Sequence, residues 1–482
     1  MVTSCIGRKA ARTTFFGALA GPPATDRSMP GDHFRAPAGK VLFHLPITEG
    51  WIRQFVLAQS LIGHSSDRGV QELAAVLVGY HLSLGTIHNI LTGAADRAQR
   101  LNQQEDLRLL PKIRVGAHDE IYQGGRPVLV GIDTDSTYCY LLAPEAHRDA
   151  ETWGIHLLDL EQRGLHLDRT IADGGSCLRA GQSEAWGDLP CHGDVFHAER
   201  QVSSLAYFLE RRAEASLGAC EDLSAQLERC QHARDQARGY GGKRGKRRAD
   251  RSRRLGKRLA SARRDARKMV PLADDVALLS RWLREDVFAV AGEDLPTRRA
   301  LYDFVVEQLA RLEPLCPYRI GPVARMLREQ REQLLGFVGV LDDQLEELAA
   351  EQGMAIHWVR EVCRLQALDR GHCLHWRRRQ QLHRKLGWRL AGLERAVKQV
   401  LRGAVRSSSA VENLNSRLRC YFFLRRQVGA KSLELLRFFL NHHVYGRSRL
   451  RWREGHSPAE LVCSAGHPHW LAMLDEPLWR YN

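Results

Sequence analysis

The chain has 482 residues, and its 71 Lys and Arg against 56 Asp and Glu give a formal net charge of +15 and a pI near 9.5. This length suffices for two to four domains, and the basic balance favours a polyanionic partner such as nucleic acid. No apolar run approaches the ~20 residues that span a bilayer, and the apolar stretch near Phe15 is too short for a signal peptide. Eleven scattered cysteines without a Cys-x-x-Cys pair indicate reduced thiols. We therefore expect a cytoplasmic, nucleoid-associated protein with no membrane partner.

Changes in composition divide the chain into six segments. Residues 1–40 are rich in Gly, Pro, Ala and Thr and lack periodicity, which predicts a disordered leader. The following segments are a helical DNA-binding region at 41–108, the first part of a sheet-containing core at 109–200, a basic helical insertion at 201–400, the last helices of the core at 401–450 and a tail at 451–482.

A helix-turn-helix candidate lies in the second segment. The pattern predicts a helix over Arg68–Leu77, a turn over Gly79–Ser83 and a second helix over Leu84–Ala95. An ordinary helical hairpin is the alternative, because this motif is weak in a single sequence. In the first interpretation three residues of the second helix are exposed and contact DNA, namely Thr86, His88 and Asn89.

Short strands are predicted across the third segment. Alternating apolar residues over 113–117 predict a strand that leads into Asp119, and Gly124-Gly125 predicts a hairpin turn. The apolar run over 128–132 is typical of a strand buried on both faces. A strand over 138–142, a helix over 151–163 and a strand near 170–172 that ends at Asp173-Gly174-Gly175 follow. This order predicts an α+β fold with a ribonuclease-H-like mixed sheet.

The insertion contains a dense run of cations. Residues 243–268 hold fourteen Lys and Arg against only Asp250 and Asp265. Such a run is typically solvated or disordered, yet in either state it would bind phosphates by releasing counterions. We therefore predict DNA contacts in its first part, from Lys243, Arg244, Lys246, Arg247 and Arg248.

One acid, Glu412, stands among cations and amides over 407–419. The serines before it are N-cap candidates for a helix. Helical spacing places Val411, Leu414 and Leu418 on a packing face, and Glu412, Asn415, Ser416 and Arg419 on one polar stripe. From this stripe we predict that Asn415 and Arg419 contact DNA. The alternative is a surface acid at a helix start, where the macrodipole favours it.

Acids at strand ends and one acid on a later helix can together hold two divalent cations about 4 Å apart, an arrangement that suits phosphodiester chemistry. Oxygen ligands favour Mg²⁺ or Mn²⁺ over zinc.

Asp119 and Asp133 compete for the first position, and their offset of about three residues is near 10 Å along the strands. A buried strand ending in Asp favours Asp133, whereas chain order favours Asp119. The residues alone leave this choice open.

Two further groups contain potential ligands. His192 and His197 flank Asp194, where they would contact phosphate or serve as ordinary polar residues at a strand end. Cysteine and histidine also gather later in the chain, but their spacing fits no standard zinc pattern, so we expect no structural zinc there. That group comprises Cys363, His372, Cys373 and His375.

Residues 119–197 and 408–426, roughly a quarter of the chain, resemble the core of bacterial insertion-sequence transposases with an Asp-Asp-Glu active site, near the mutator-like group. The matching features are an Asp before a hairpin, a Trp-containing helix that ends in Arg-Gly-Leu, an Asp-Gly pair, an Asp followed by His, and a Glu in a helix rich in Asn and Arg. They are carried by Asp119, Trp153, Arg163-Gly164-Leu165, Asp173-Gly174, Asp194, His197 and Glu412. Order and spacing together carry the resemblance, because no single motif is specific.

The resemblance implies that Asp119, Asp173 and Glu412 are catalytic residues and ligands of Mg²⁺ or Mn²⁺. It makes Asp194 the next candidate and Asp133 a structural acid. The implied enzyme is a DNA transposase that cleaves and joins double-stranded DNA at element ends and target, as a homo-oligomer on DNA. The long gap before Glu412 departs from the pattern and implies a large helical insertion. The alternatives are a transposase-derived DNA-binding protein without activity and a nuclease without strand transfer.

Overall fold

The computed structural model describes residues 11–13, 45–172, 175–236, 243–424, 428–448 and 450–476. The chain folds into two compact units, of which the first joins Met1–Pro190 with Ser408–Asn482 and the second is Cys191–Ser407. The fold is α+β, with a mixed sheet and many helices. None of the helices in the described ranges is both long enough and apolar enough to cross a membrane.

The strands are β1 (Ala11–Thr13), β2 (Leu45–Ile47), β3 (Val115–Gln123), β4 (Arg126–Asp133), β5 (Cys139–Pro144), β6 (Arg169–Ala172) and β7 (Cys191–Gly193). The helices of the first unit are α1 (Glu49–Leu61), α2 (Asp67–Val78), α3 (Leu84–Leu109), α4 (Ala150–Gln162), α5 (Ser176–Trp186), α14 (Ser409–Leu424), α15 (Ala430–His442), α16 (Pro458–Cys463) and α17 (Trp470–Met473). The helices of the second unit are α6 (Val195–Asp235), α7 (Lys243–Trp282), α8 (Leu295–Leu312), α9 (Pro317–Glu329), α10 (Arg331–Glu351), α11 (Ile356–Ala367), α12 (Cys373–Leu386) and α13 (Arg389–Gly403).

The β3–β4 hairpin follows the sequence closely. Gln123 pairs with Arg126, so Gly124 and Gly125 form a two-residue turn, and both have positive φ angles, 58° and 84°. Glycine adopts these angles without the clash that a Cβ atom causes. β4 is buried from Pro127 to Asp133, as its apolar run predicts. The hairpin turn and the buried strand are therefore confirmed.

The sheet of the first unit is mixed. Its strands lie in the order β5-β4-β3-β6, with β3 antiparallel to β4, β4 antiparallel to β5, and β3 parallel to β6. The strand after the first crossover thus lies beside the first strand of the meander, as chain order predicts. A separate two-stranded sheet pairs β1 with β2. β1 falls within the predicted leader, and the other residues of 1–40 lie outside the described residues.

Helices cover both faces of the mixed sheet. On one face Ala117, Ile121 and Val130 belong to a core cluster with residues of α1, α3, α14 and α15. On the other face the ring of His118 lies 5.9 Å from Trp153 of α4 and 6.0 Å from Trp186 at the end of α5. Because side chains alternate along a strand, neighbouring residues of β3 serve opposite faces. This alternation decides which acids can share a site.

His118 is fully buried on the second face, and burial lowers its pKa to about 3. An unfolded chain takes up a proton at this residue near pH 6.5, whereas the folded chain does not until about pH 3. The free energy of unfolding that neutral His118 contributes is therefore fully present above pH 6.5. It is lost as the pH falls from 6.5 towards 3. Between pH 7 and pH 5 we expect the loss to reach about 2 kcal/mol.

Denaturant unfolding followed by pulsed hydrogen exchange of β3 and β4 measures this effect. The His118→Gln variant should lose less stability than the wild type between pH 7 and pH 5, whatever its stability at pH 7. Equal losses in the two proteins would show that His118 does not carry the acid sensitivity of the sheet.

The three N-terminal helices form a small cluster. Val56 of α1, Val70 and Ala74 of α2, and Ile87 of α3 are buried together. Gly79 ends α2 in the left-handed conformation and the Ser83 side chain caps α3, which explains the turn between them. α3 is longer than the sequence predicts. It continues to Leu109 because Ala94, Ala95 and Ala98 belong to the core of the sheet.

The second unit begins with β7 and a long helical hairpin. Leu223 of α6 is buried with Leu255 and Leu259 of α7, and Arg248 of α7 donates to Ala233 O of α6. The two helices therefore run antiparallel. Apolar residues of α7 recur at alternating spacings of three and four, the pattern of a coiled-coil seam. They are Leu255, Leu259, Ala262, Ala266, Met269, Ala273 and Val276.

The cationic run, for which a solvated or a disordered segment was expected, is helical. From residue 245 onward the run is a described part of α7, and every Lys and Arg between Lys246 and Lys268 is exposed. The seam anchors one side of the helix, while the cations occupy the solvated side. Of the two alternatives, the solvated segment is confirmed, and the seam explains why the run is helical rather than disordered.

Candidate active site

Asp119 lies in β3 on the sheet face that α14 covers. It pairs with Val130 of β4, and Val130 is buried in the core cluster that contains Val411 and Leu414 of α14. The Asp119 side chain is half-buried. Its Oδ1 accepts from the Glu120 amide at 2.8 Å, and its Oδ2 accepts from Asn415 Nδ2 at 2.6 Å. The first candidate acid is thus tied to the helix that carries Glu412.

Helix α14 is fixed by its apolar side. Val411, Leu414 and Leu418 are buried, as the helical spacing predicts. Farther along, the Tyr421 hydroxyl donates to Leu61 O at the end of α1, at 2.6 Å. These contacts hold the polar side of the first turns of α14 against β3.

Asn415 does not follow the expectation for the polar stripe. Its side chain is only 3% exposed and donates to Asp119, so its amide faces the sheet rather than solvent. Its Oδ1 atom is buried and has no hydrogen-bond partner among the described residues. Arg419, on the next turn, is exposed as expected. Of the two predicted DNA contacts on α14, Arg419 is therefore the accessible one.

Glu412 stands one turn before Asn415. Its backbone amide donates to Ser408 O at 3.0 Å in the first turn of α14, and its side chain is half-buried. Residues three apart on a helix are neighbours, with Cβ atoms about 5–6 Å apart. Glu412 is therefore next to the residue that binds Asp119, although 293 positions separate the two acids in the chain.

Asp173 lies outside the described residues, so its predicted role rests on the sequence. The strand before it is described. β6 ends at Ala172, which pairs with His118, the residue before Asp119. The parallel register thus brings the described end of β6 to within one position of Asp119 along the sheet.

Asp133 occupies a different place. It pairs with Gly116, three positions from Asp119 in the register of β3 and β4. Paired residues share a face and successive residues alternate, so an odd offset puts Asp133 on the face opposite to Asp119. Its Oδ2 accepts from Ser136 N at 2.8 Å and from Ser136 Oγ at 2.5 Å. Asp133 therefore stabilises the turn between β4 and β5.

Burial raises the pKa of Asp133, and the two hydrogen bonds from Ser136 oppose this shift.

Asp194, the next candidate acid, begins the second unit's long helix. Its Oδ1 caps α6 by accepting from His197 N at 3.0 Å. An N-cap satisfies a helix amide that would otherwise lack a partner, which is a structural role.

The residues around Asp119 fit a hydrated divalent cation in part. Asp119 and Glu412 supply carboxylate oxygens, which Mg²⁺ and Mn²⁺ prefer. The buried Asn415 Oδ1 beside Asp119 needs a donor, and a water held on a cation supplies one. Among the described residues, which omit Asp173, no group of three or more His, Cys, Asp or Glu is arranged to hold a metal.

The predicted DNA-contacting residues of the N-terminal helices are exposed. Thr86, His88 and Asn89 lie on the first turns of α3, on the side away from buried Ile87. The Thr86 hydroxyl bonds to Ser83 Oγ at 2.8 Å, and the imidazole of His88 lies 3.5 Å from Thr92 Oγ1. A short helix, a turn and an exposed second helix are present, which is the element order that a helix-turn-helix requires.

The cationic residues predicted to contact DNA lie on α7. Lys246, Arg247 and Arg248 are exposed there, and the side chains of Lys243 and Arg244 lie outside the description.

The cysteine and histidine group shows no zinc geometry in its described side chains. Cys363 is buried and donates to Gly292 O, while the His372 ring caps α12 by accepting from Leu374 N at 3.2 Å.

Two features were missed in the sequence. The first is the bond from Asn415 to Asp119, whose only signal is an amide three residues after Glu412. The second is the segment from α12 to Trp388, two residues past the end of the helix, where Arg377, Arg384 and two exposed tryptophans lie together in sequence. The signal was available, since residues 370–402 hold ten Lys and Arg against one acid, Glu394.

No protein-family model matches this chain, and no curated protein matches it significantly.

Proposed function

We propose that this protein is a DNA transposase, which cleaves DNA at the ends of a mobile element and joins the cut strand to a target. The observation that carries the proposal is the 2.6 Å bond between Asn415 and Asp119. It joins the first predicted acid to the helix of the last one across most of the chain. Three antiparallel strands followed by a parallel strand beside the first support a ribonuclease-H-like core.

The protein's own residues would hold the site in place. Asp119 and Glu412, with Asp173 from the sequence, would bind Mg²⁺ or Mn²⁺. Such ions lower the pKa of the attacking water or hydroxyl and stabilise the leaving oxygen of a phosphodiester. Asn415 and the Glu120 amide donate to the two oxygens of Asp119 and so fix the orientation of its carboxylate. The buried side of α14 fixes the helical turn on which Glu412 stands beside Asn415.

Positive charge supports DNA as the substrate. The exposed side of α7 carries cations over most of its length, and Arg419 is exposed on α14. Cations of this density bind the phosphate backbone largely without regard to base sequence. Selection of particular element ends would then fall to base contacts, for which Thr86, His88 and Asn89 are the candidates.

The activity test uses plasmid DNA that carries the sequences flanking the gene. With Mg²⁺ or Mn²⁺ we expect new 3′-hydroxyl ends at terminal inverted repeats and products joined to a second DNA. Cut ends without joined products would indicate a nuclease. Tight, salt-sensitive binding without cleavage in either metal would indicate a DNA-binding protein that has lost activity.

Neutral substitution of α7 cations should weaken DNA binding in a salt-dependent way. For Lys246→Gln combined with Arg247→Gln, we expect the slope of log K against log salt to fall in magnitude by up to about 2, since each lost phosphate contact removes about 0.9. Fluorescence anisotropy with a short duplex across a salt series measures the slope.

The matched control replaces Arg325 and Arg328 of α9, which are also exposed in the second unit. The control pair should leave the slope close to that of the wild type. Equal slopes for both double variants would mean that the α7 cations contact DNA phosphates no more than the α9 cations do.

A further inference from the structure

A second basic surface lies on α12, apart from the residues predicted to contact DNA. Its buried side consists of His375 and Leu382, with Leu386 partly buried beside them. Arg379 makes two bonds to Glu394 of α13, at 2.8 and 3.1 Å, and Arg378 lies 3.5 Å from Glu361 of α11. α12 is therefore held firmly against its neighbours within the second unit.

The opposite side of α12 carries cations without a structural task. Arg377 and Arg384 are exposed and lie seven residues apart, which puts them on one ridge of the helix. No described acid forms an ion pair with either of them, whereas Arg378 and Arg379 do have acidic partners. Exposed Gln380 lies between the two cations. A row of unpaired cations and an amide is suited to a phosphate backbone.

Two tryptophans flank this ridge. Trp376 is 56% exposed although its ring nitrogen donates to Arg370 O at 2.8 Å, so the ring is fixed but accessible. Trp388 is 85% exposed directly after Gly387, and the Arg389 guanidinium lies 5.7 Å from its ring centre. Tryptophan is highly buried on average and enriched at binding interfaces, so two exposed rings beside cations suit a ligand.

We propose that this α12 surface, formed by Trp376, Arg377, Arg384 and Trp388, binds single-stranded nucleic acid and stacks an unpaired base on Trp388. Aromatic platforms with neighbouring cations bind single strands because every free base offers a flat face, whereas a duplex keeps its bases stacked inside. A lipid surface fits less well, because the outer ridge carries Arg and Gln rather than an apolar stripe. The proposal does not depend on Asp119 and Glu412, and it goes beyond the duplex contacts assigned to α7.

The test uses the full-length protein in EDTA, which prevents metal-dependent cleavage. Fluorescence anisotropy gives Kd for a labelled twenty-nucleotide oligo(dT) and for a labelled duplex of equal length. We expect Trp388→Ala to weaken oligo(dT) binding by about 5- to 150-fold, the range for loss of one stacked base, and to change duplex binding by less than about 3-fold. Trp376→Ala should weaken oligo(dT) binding in the same direction.

The control is Tyr318→Ala on α9, an aromatic side chain that is 93% exposed in the same unit. It should leave both affinities unchanged. Circular dichroism checks that each variant is folded, which is expected because the replaced rings are exposed.

Three results would overturn the proposal. Unchanged oligo(dT) binding in both tryptophan variants would remove its basis, and equal losses on oligo(dT) and duplex would exclude selective stacking. Loss of self-association in Trp388→Ala, measured by sedimentation with oligo(dT) binding intact, would assign the surface to a second copy of the chain. The Asp119→Ala variant should keep oligo(dT) binding, so failure of the proposed catalysis and failure of this proposal remain distinguishable.

Discussion

Replacing Asp119 with Ala should lower metal-dependent strand cleavage by roughly 10³-fold or more, the scale seen when an essential group of an active site is removed. The physical reason is that its carboxylate faces α14 and would hold a divalent cation jointly with Glu412. DNA binding should change by less than about 3-fold, since the proposed phosphate contacts come from the cations and not from Asp119. Cleavage of end-labelled DNA in Mg²⁺ and in Mn²⁺, beside a filter-binding measurement, gives both quantities.

Glu412→Gln should lower cleavage to a similar extent, because the neutral amide is a weaker ligand for a divalent cation. The variant keeps the shape of the side chain, so it tests the charge alone. The matched control is Glu120→Gln, an acid adjacent in the chain whose carboxylate faces α4 and accepts from Trp153 and Arg148. Cleavage should survive that change within about 10-fold. Full activity in Asp119→Ala would remove Asp119 from the site.

Asp106→Ala should destabilise the first unit by about 3–5 kcal/mol, the cost of leaving a buried charge without its partner. Asp106 is fully buried and accepts from Arg437, from Arg163 at 2.8 Å and from the Tyr138 hydroxyl at 2.9 Å. Burial alone would lower the pKa of the Arg437 guanidinium. The nearby acidic groups, Asp106 above all, outweigh burial and raise this pKa. Denaturant unfolding with pulsed hydrogen exchange of β3 to β5 measures the loss.

A matched pair on the same two helices provides the control. Asp96 of α3 and Lys431 of α15 lie 2.7 Å apart but are largely exposed. Asp96→Ala should therefore change stability by less than about 1 kcal/mol, as is usual for surface ion pairs. If both substitutions cost the same, burial of Asp106 is not what makes its network important.

Much of the sheet was predictable because strands have a period of two and a two-residue turn fixes their pairing. Gly124-Gly125 sets Gln123 opposite Arg126, and every later pair follows. The same count already put Asp133 opposite Gly116, an odd number of residues from Asp119. The sequence therefore already implied that the two acids lie on opposite faces of the sheet, but counting distance along the strands without counting faces did not reveal it.

The burial of Asn415 was not predictable in this way. Helical spacing correctly put it beside Glu412, but its fate depends on a contact with Asp119, 296 residues earlier. A polar stripe looks the same in sequence whether it meets water or a carboxylate. Only the docking of α14 on β3 separates the two.

Helix α7 shows how charge can hide a weaker pattern. Fourteen cations in 26 residues favour a solvated or disordered segment. Yet Leu255, Leu259 and Ala262 recur at spacings of four and three, which is enough to bury one side against α6. The many cations correctly indicated the solvated side of the helix. The spacing of the apolar residues accounts for the side that packs against α6.

The most direct test of the central claim is a crystal of the protein with DNA and Mn²⁺, in which anomalous scattering locates the metal. The proposed active site predicts Mn²⁺ bound by the carboxylates of Asp119 and Glu412, and no Mn²⁺ at this position in Asp119→Ala crystals. Metal bound elsewhere, with the Asp119 and Glu412 carboxylates unoccupied beside cleavable DNA, would contradict it.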